Sequence, residues 1–286
     1  MAKLILLLAS LVWLVACGRQ PEPAPTAAVF GDPSSIQLLI PSNDFALDTP
    51  RVPLVLYQGP NQVADAQQVI VTAVDLSQET RPGVWTGAAT SYSDYAVPYW
   101  VVYPDLPHSG RWGLHAEITR ADGTTTQAQA VIEVAETPQT PAVGSRAPAS
   151  QNRTLATEPD INKLTSAQEP NPVLYQMTVA EALASERPSV IVFATPAFCQ
   201  TAVCAPVVDS VQAVHAELGD EANFIHLEIY KEFNPSLILA DEVEEWQLSS
   251  EPWTFILDTD GHIAARLGGP ISPRELTAAL EPLLQK

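Results

Sequence analysis

A proline-rich stretch, ETPQTPAVGSRAPAS from Glu136 to Ser150, divides the sequence into two parts with different patterns. Proline and small polar residues bury little apolar surface, so such a stretch is typical of a linker between domains. With 286 residues, the chain is long enough for two domains of ordinary size. The predicted organisation is an N-terminal segment (1–17), a linker (18–33), a domain (34–136), a second linker (137–150) and a second domain (151–286).

The first domain is predicted to be all-β. Seven short alternating or apolar runs recur at regular spacing, separated by turn residues such as QGPN, TRPG, PHSG and ADG. The runs are SIQLLI, VPLVLY, QVIVTAVDL, VWTGAATSY, VPYWVVY, GRWGLHAEIT and QAQAVIEV. Strands of this number and length indicate an antiparallel sandwich. His108 and His115 do not have a metal-ligand spacing, so we expect no metal site in this domain.

Within it, SGRWGLHAEITRADG resembles the late strands of immunoglobulin-like domains on bacterial exported proteins. The resemblance implies an immunoglobulin-like sandwich that serves as a spacer or a protein-recognition module.

The second domain alternates between strand-like and helix-like runs. In order, these are VLYQ, TVAEALASER, SVIVFA, a helix from about Thr201 to Leu218, ANFIHLEI, SLILADEVEEWQL, PWTFILD, HIAARL and SPRELTAALEPLL. Capping boxes mark two helix starts, Thr178 with Glu181 and Ser272 with Glu275. From SVIVFA onward, the order β-α-β-α-β-β-α predicts an α/β fold with a central mixed sheet and helices on both faces.

The N-terminus, MAKLILLLASLVWLVACGRQ, has the pattern of a signal peptide. Its apolar run from Leu4 to Ala16 is shorter than the about 20 residues that span a bilayer. The run ends in LVAC, which resembles the lipobox of bacterial lipoproteins. The resemblance implies that Cys17 is lipidated, becomes the new N-terminus and anchors an extracytoplasmic protein to the cell membrane. An ordinary cleaved signal and an uncleaved anchor remain alternatives.

The charge of the chain excludes some partners. The formal net charge is −19 and the pI is about 4.4. Such a surface is repelled by nucleic acid and by anionic lipid head groups, so we expect neither as a partner. Contact with the membrane is expected only through lipid on Cys17.

Two of the three cysteines lie in FATPAFCQTAVCAP, between the run SVIVFA and an amphipathic helix. With Cys17 lipidated, Cys199 and Cys204 are the two thiols left in an oxidising space. A helix start stabilises a thiolate through its free N–H groups and its dipole. We therefore predict that Cys199 lies at the helix start as the nucleophile and that Cys204 lies further into the helix.

The spacing of these cysteines is too wide for a disulfide within an intact helix. On a straight helix, their Cα atoms would lie roughly 8–9 Å apart. A disulfide needs about 4.4–6.8 Å. Either Cys199 precedes the first turn, or the turn unwinds on oxidation, which Pro206 would ease.

The second domain resembles the thioredoxin fold. The likeness spans about 142–285 and rests on the order of the elements and on several short motifs. These are VGSRAP at Val143–Pro148, Phe198 before the first cysteine, EPWTFILDTDG at Glu251–Gly261, and the glycines Gly268 and Gly269. In this family, a cis-proline opens a strand beside the active site, and it maps onto Pro252. We therefore predict a cis Glu251–Pro252 bond.

The thioredoxin resemblance implies an extracytoplasmic thiol–disulfide oxidoreductase with a redox-active disulfide. Cys199 would attack, Cys204 would resolve the mixed disulfide, and Pro252 would shape the substrate-binding edge. The implied partners are thiols or disulfides of other exported proteins, and no cofactor and no metal are expected.

Three alternatives remain, and the first is a thiol peroxidase. One peroxiredoxin subgroup shares this cysteine separation. Peroxiredoxins place Thr or Ser three residues before the reactive cysteine and an arginine at the start of a later strand. Here Pro196 and Pro252 occupy those positions and Thr195 is one residue off, which counts against peroxide chemistry.

The second alternative is a copper-handling assembly factor of the Sco type. Thiolates suit copper, but His215, His226 and His262 lie elsewhere in the sequence and no third ligand is evident. The third alternative is a non-catalytic binding module in which the two cysteines form a structural disulfide. It draws support from SVIVFA, which lacks the acidic residue that typical thioredoxins carry in that strand.

Overall fold

The computed structural model describes residues 35–47, 50–199, 202–233 and 235–284. The predicted signal peptide, Cys17 and the 18–33 linker lie outside these ranges and stay predictions. Both halves of the described chain belong to one compact unit, Pro33–Lys286. Among the described helices, none is long and apolar enough to cross a bilayer.

The first half forms two sheets. Its strands are β1 (Ile36–Leu39), β2 (Phe45–Ala46), β3 (Val52–Gln58), β4 (Asn61–Gln62), β5 (Ala66–Asp75), β6 (Gly83–Ala88), β7 (Thr90–Tyr92), β8 (Tyr99–Val102), β9 (Gly110–Arg120) and β10 (Thr125–Ala135). One sheet has the order β1-β3-β8-β7, with β4 paired to β3, and the other has the order β2-β10-β9-β5-β6.

Alternation along the strands produces the core between these sheets. In β9, Trp112, Leu114 and Ile118 are buried, whereas His115 and Glu117 between them are exposed. The buried side chains of β9 join those of β3 and β5 in one hydrophobic cluster. Burying one face of each sheet in this way is what stabilises a sandwich.

All seven predicted strand-like runs of this half contain strands, with two differences from the prediction. VWTGAATSY splits at Ala89 into β6, which pairs with β5, and β7, which pairs with β8 in the other sheet. The chain therefore crosses from one sheet to the other within this run. The pairing of β10 with β2 is parallel rather than antiparallel.

The second half contains a mixed four-stranded sheet. Its elements are α1 (Val179–Leu183), β11 (Ser189–Ala194), α2 (Cys204–Leu218), β12 (Asn223–Glu228), β13 (Tyr230–Glu232), β14 (Ile238–Leu239), α3 (Asp241–Glu245), β15 (Trp253–Leu257), β16 (Ile263–Gly268) and α4 (Pro273–Leu284). The sheet order is β12-β11-β15-β16, and only the β11–β12 pair is parallel.

Helices cover both faces of this sheet. In β11, Val190, Val192 and Ala194 pack in a cluster with side chains of α2 and α4. Ile191 and Phe193 belong to a second cluster with side chains of α1 and α3. From β11 onward the order is β-α-β-α-β-β-α, apart from the small β13–β14 hairpin. This half is therefore thioredoxin-like in topology.

Three element predictions in this half are wrong. VLYQ belongs to a 3-10 helix, Pro172–Tyr175, whose cap is Asn171. SLILA is not helical, because Ile238–Leu239 pairs with β13 and the helix starts only at Asp241. The helix after the cysteines begins at Cys204 rather than near Thr201.

The two halves meet around the start of α4. Glu275 does not complete a capping box with Ser272; its carboxylate instead binds Arg51 of the first half, Nε to Oε1 at 2.7 Å and Nη2 to Oε2 at 2.8 Å. The backbone N–H of Ser272 donates to the hydroxyl of Tyr99 at 2.8 Å, and that hydroxyl donates to Glu275. Asp44 makes a second buried ion pair with Arg266.

Candidate functional site

The cysteine segment begins where β11 ends. All six residues of β11 are buried, and the backbone N–H of Phe198 then donates to the carbonyl of Thr195 in a turn. Ala202 has a positive φ of 57°, which turns the chain into α2. Pro206 is the third residue of α2 and is tolerated because the first N–H groups of a helix have no intrahelical acceptor.

Cys199 lies before this helix, and Cys204 is its first residue. The first of the two arrangements considered from the sequence is therefore right: Cys199 precedes the first turn. The disulfide does not require α2 to unwind. The expectation that Cys204 lies further into the helix is wrong, because α2 begins at Cys204.

The two sulfurs lie within 4.8 Å of each other but differ in exposure. The backbone N–H of Cys204 donates to Sγ of Cys199 at 3.3 Å. Cys199 is partly exposed, whereas Cys204 is 0% exposed, and neither forms a disulfide in this structure. A substrate can therefore reach Cys199 and not Cys204. The N–H groups at the start of α2 favour negative charge on the accessible sulfur.

Electrostatics strengthen this asymmetry. The hydrogen bond to Cys199, burial and the charges of Cys199 and Glu251 raise the pKa of the Cys204 thiol far above its usual range. The backbone N–H of Thr195 acts in the opposite direction but does not prevail. The buried Cys204 thiol therefore holds its proton more tightly than an ordinary thiol, and the N–H of Cys204 favours negative charge on Cys199.

The segment before β15 lies against the sulfurs. The predicted cis bond between Glu251 and Pro252 is confirmed. A carboxylate oxygen of Glu251 lies within 4.8 Å of Sγ of both Cys199 and Cys204. Burial, and then the charge of Cys199, raises the pKa of Glu251.

Sequence reasoning missed Glu251, although the signal was present. If a proline opens a strand beside the active site, the residue before it is also near the sulfurs. An acid at that position is therefore a candidate for the site.

The first half packs closely against the chain at Gly269, which is hydrogen-bonded to Pro252. The N–H of Gly269 donates to the carbonyl of Pro252 at 2.9 Å. Gly269 has φ +81°, and a Cβ there would lie 2.5 Å from the carbonyl oxygen of Pro41. The close approach of the first half thus requires glycine at this position.

His226 and His108 form hydrogen bonds within the fold. His226 is buried, with Nδ1 2.7 Å from the hydroxyl of Tyr175 and Nε2 3.0 Å from the carbonyl of Ala194. His108 bonds the carboxylate of Asp75, and His115 is exposed on β9. Within the described ranges, the groups that come together closely enough for one ion to touch three of them are Cys199, Cys204 and Glu251.

An apolar surface adjoins Cys199. The ring of Phe198 contacts those of Tyr230 and Phe233 at centroid distances of 6.0 and 5.9 Å. Tyr230 pairs with Leu239 across the β13–β14 hairpin, in which Leu237, Ile238 and Leu239 are exposed. We call these six residues the hairpin surface. The hairpin surface was not identified from the sequence, because a helix was predicted over SLILA.

No model of a protein family matches the chain, and no curated protein matches it. Among solved structures, it is similar to a thiol:disulfide interchange protein of the thioredoxin family from Chlorobium tepidum, at 12% identity and TM-score 0.33, covering 51% of this chain and 96% of that one. A DsbF homologue from Corynebacterium diphtheriae matches at 16% identity and TM-score 0.31, covering 37% and 77%. Chloroplastic thioredoxin z matches at 15% identity and TM-score 0.30, covering 37% and 86%. At these TM-scores, the assignment of the fold depends on the strand order and helix placement described above.

Proposed function

We propose that this protein is an extracytoplasmic thiol–disulfide oxidoreductase that acts on other exported proteins through Cys199 and Cys204. The observation that carries the proposal is the contact between an accessible sulfur at a helix start and a buried thiol. Cys199 accepts the N–H of Cys204 at 3.3 Å, and Cys204 is 0% exposed. An inert disulfide does not need a difference in access between its two sulfurs, whereas exchange does.

The exchange proceeds in two displacements. The thiolate of Cys199 attacks one sulfur of a substrate disulfide, which forms a mixed disulfide and releases the other sulfur as a thiolate. Cys204 then loses its proton and attacks Sγ of Cys199, which releases the second substrate thiolate. The substrate gains two electrons, and the protein is left with a Cys199–Cys204 disulfide. The reverse sequence oxidises a substrate dithiol.

The surroundings of Cys199 support a protein as the substrate. The hairpin surface lies next to Cys199 and presents Leu239 at 54% exposure. Exposed apolar side chains beside a reactive group favour contact with another polypeptide. We propose that Pro252, which follows Glu251 at the sulfurs, forms the other edge of this substrate site.

Two further parts of the proposal concern the N-terminus and the first half. Lipid on Cys17 would anchor the protein to the membrane of a bacterial cell. The first half would be an immunoglobulin-like spacer or recognition module.

The structure favours exchange over peroxide chemistry. A carboxylate oxygen of Glu251 lies within 4.8 Å of both sulfurs, and Pro252 stands where a peroxiredoxin has its arginine. A carboxylate does not stabilise the negative charge that develops on a departing hydroxide.

The test of the function is a trapping experiment with single variants. Cys204→Ser should accumulate mixed disulfides with exported proteins, because the resolving thiol is missing, and Cys199→Ser should accumulate few. The reduced wild-type chain should reduce a protein disulfide such as that of insulin. A structural disulfide would give empty traps from both variants and no reduction. Rapid sulfenic acid formation on Cys199 at micromolar peroxide would instead establish the peroxidase.

Anchoring is tested separately by metabolic labelling with a fatty acid. The wild-type chain should take up the label, and Cys17→Ser should abolish it. Cys199→Ser is the matched control and should keep the label. Equal labelling of the Cys17→Ser chain would refute lipidation at that residue.

A further inference from the structure

Cys199, Cys204 and Glu251 bring two sulfurs and a carboxylate to one point. One ligand atom from each of the three lies within 4.8 Å of the other two. The groups come from two elements, the start of α2 and the segment before β15, so the fold itself assembles them. We infer that the reduced protein has a binding site for one Zn²⁺ ion at this point. The site uses the residues of the proposed exchange reaction, but its existence does not depend on that activity.

The distances suit a zinc site after small side-chain movements. Zn–S bonds of about 2.3 Å in tetrahedral geometry place two sulfurs about 3.8 Å apart. The two sulfurs need to approach each other by about 1 Å at most, and each needs to approach the carboxylate oxygen by about 1.3 Å at most. Rotation of the Glu251 side chain, which has three rotatable bonds, brings the oxygen closer, and rotation of the Cys199 side chain brings the sulfurs closer.

The donor atoms of this site, two sulfurs and one carboxylate oxygen, favour Zn²⁺ over Cu⁺. Two thiolates alone suit Cu⁺, which prefers soft ligands, whereas a carboxylate oxygen is a harder donor that Zn²⁺ accepts. The nearby imidazole of His226 is not available, because both of its nitrogens are hydrogen-bonded within the core. Three protein ligands leave the fourth position of a tetrahedral ion open to water, on the side where Cys199 is exposed.

The charges around the site also call for a cation. Within the described ranges, the ion pairs of the structure do not include Glu251. Two thiolates and a carboxylate brought to one point repel one another. A divalent ion removes this repulsion.

Zinc binding and disulfide formation exclude each other. Binding replaces the thiol protons of Cys199 and Cys204, which leave to solvent. Formation of the disulfide consumes both thiolates and leaves only Glu251 as a ligand. A bound ion therefore protects the reduced pair and blocks exchange until it dissociates.

The test is a titration of the full chain with Zn²⁺ in competition with a chromophoric chelator, and with Co²⁺ as an optical probe. The reduced wild-type chain should bind one ion, with a Co²⁺–thiolate charge-transfer band, and the oxidised chain should bind none. Glu251→Gln should weaken Zn²⁺ binding at least tenfold. Glu244→Gln, which removes an exposed carboxylate from α3, should leave it unchanged. A Glu251→Gln chain that still forms the Cys199–Cys204 disulfide is folded at the site.

Several results would overturn the inference. They are equal Zn²⁺ binding by reduced and oxidised chains, equal binding by wild type and Glu251→Gln, and tight Cu⁺ binding that Glu251→Gln does not alter while Zn²⁺ fails to bind. Thiol–disulfide exchange measured in metal-free buffer tests the proposed function independently of zinc binding. Zinc binding without exchange refutes the function alone, and exchange without zinc binding refutes the site alone.

Discussion

Arg51 and Glu275, 224 residues apart in the sequence, form a bidentate ion pair in which both side chains are nearly fully buried. Burial alone would lower the pKa of Arg51, but the charge and hydrogen bonds of Glu275 outweigh it and the pKa is raised. The guanidinium also donates to the carbonyls of Gly268 and Pro270, both at 2.7 Å. One side chain of the first half thus holds the β16–α4 connection of the second.

The first prediction concerns this pair. Glu275→Gln should lower the free energy of unfolding by about 3–5 kcal/mol, because Arg51 is left as an unpaired buried charge. Chemical denaturation measures the loss. The control is Arg51→Met with Glu275→Leu, which removes both charges and should recover much of the stability. A single variant as stable as wild type would contradict the prediction.

The second prediction concerns the two thiols. Iodoacetamide should modify Cys199 at least tenfold faster than Cys204 in the reduced protein, because only Cys199 is exposed and the pKa of Cys204 is raised. The rate at Cys199 should fall as the pH drops, since the thiolate is the reactive form. Peptide mass spectrometry of briefly labelled samples gives both rates. Equal, slow labelling of the two residues would remove the asymmetry on which the proposed function rests.

A third prediction tests the hairpin surface as the contact for protein substrates. Leu239→Ser should slow the reduction of a folded protein disulfide severalfold through a higher KM. Reduction of a small aromatic disulfide should be unaffected. The matched control is Val131→Ser, which removes a side chain of similar exposure, 53%, from β10 of the first half. Equal slowing by both variants would show that the effect is not specific to this surface.

The fourth prediction is a pH dependence of stability from His226. Burial lowers the pKa of His226, while the charge of Glu228 and a hydrogen bond to Ala194 act against burial. The folded state therefore keeps His226 neutral, with Nε2–H donating to Ala194 and Nδ1 accepting from Tyr175. Below the unfolded pKa of about 6.5, the unfolded chain binds a proton that the folded chain does not, so stability falls as the pH drops.

The measurement for His226 is the free energy of unfolding between pH 7.5 and pH 5 in wild type and His226→Phe. The variant is expected to be less stable at every pH, since Tyr175 loses a partner, but its pH slope below 6.5 should be shallower. The raised pKa of His108 contributes with the opposite sign and is the same in both chains, so the difference isolates His226. Parallel curves would contradict the assignment.

Much of the fold was predictable because alternation along a strand directly records which face is buried. The pattern in GRWGLHAEIT sufficed for β9, and a fully apolar run sufficed for β11 between two layers of helices. SLILA was misassigned because its apolar residues face solvent, and local patterns assume that such residues are buried. Ser272 and Glu275 have the sequence of a capping box, but a partner 224 residues away competes for the carboxylate.

The candidate site was only partly predictable for the same reason. The cysteines could be found because their chemistry is visible in the residues themselves. Glu251 acquires its place from the contact between the loop before β15 and the cysteine segment, and its signal in the sequence is indirect, because it depends on placing the following proline beside the active site.

The dependence of α4 on Tyr99 and Arg51 bears on how the chain folds during synthesis. A ribosome releases the chain from its N-terminus, and early segments fold as units before late ones appear. Both sheets of the first half are therefore complete when Glu275, near the end of the chain, emerges. The last helix then docks onto a prepared surface that offers a fixed guanidinium for its carboxylate and a hydroxyl for its first N–H. The first half thus acts as a template for the docking of α4 onto the second half.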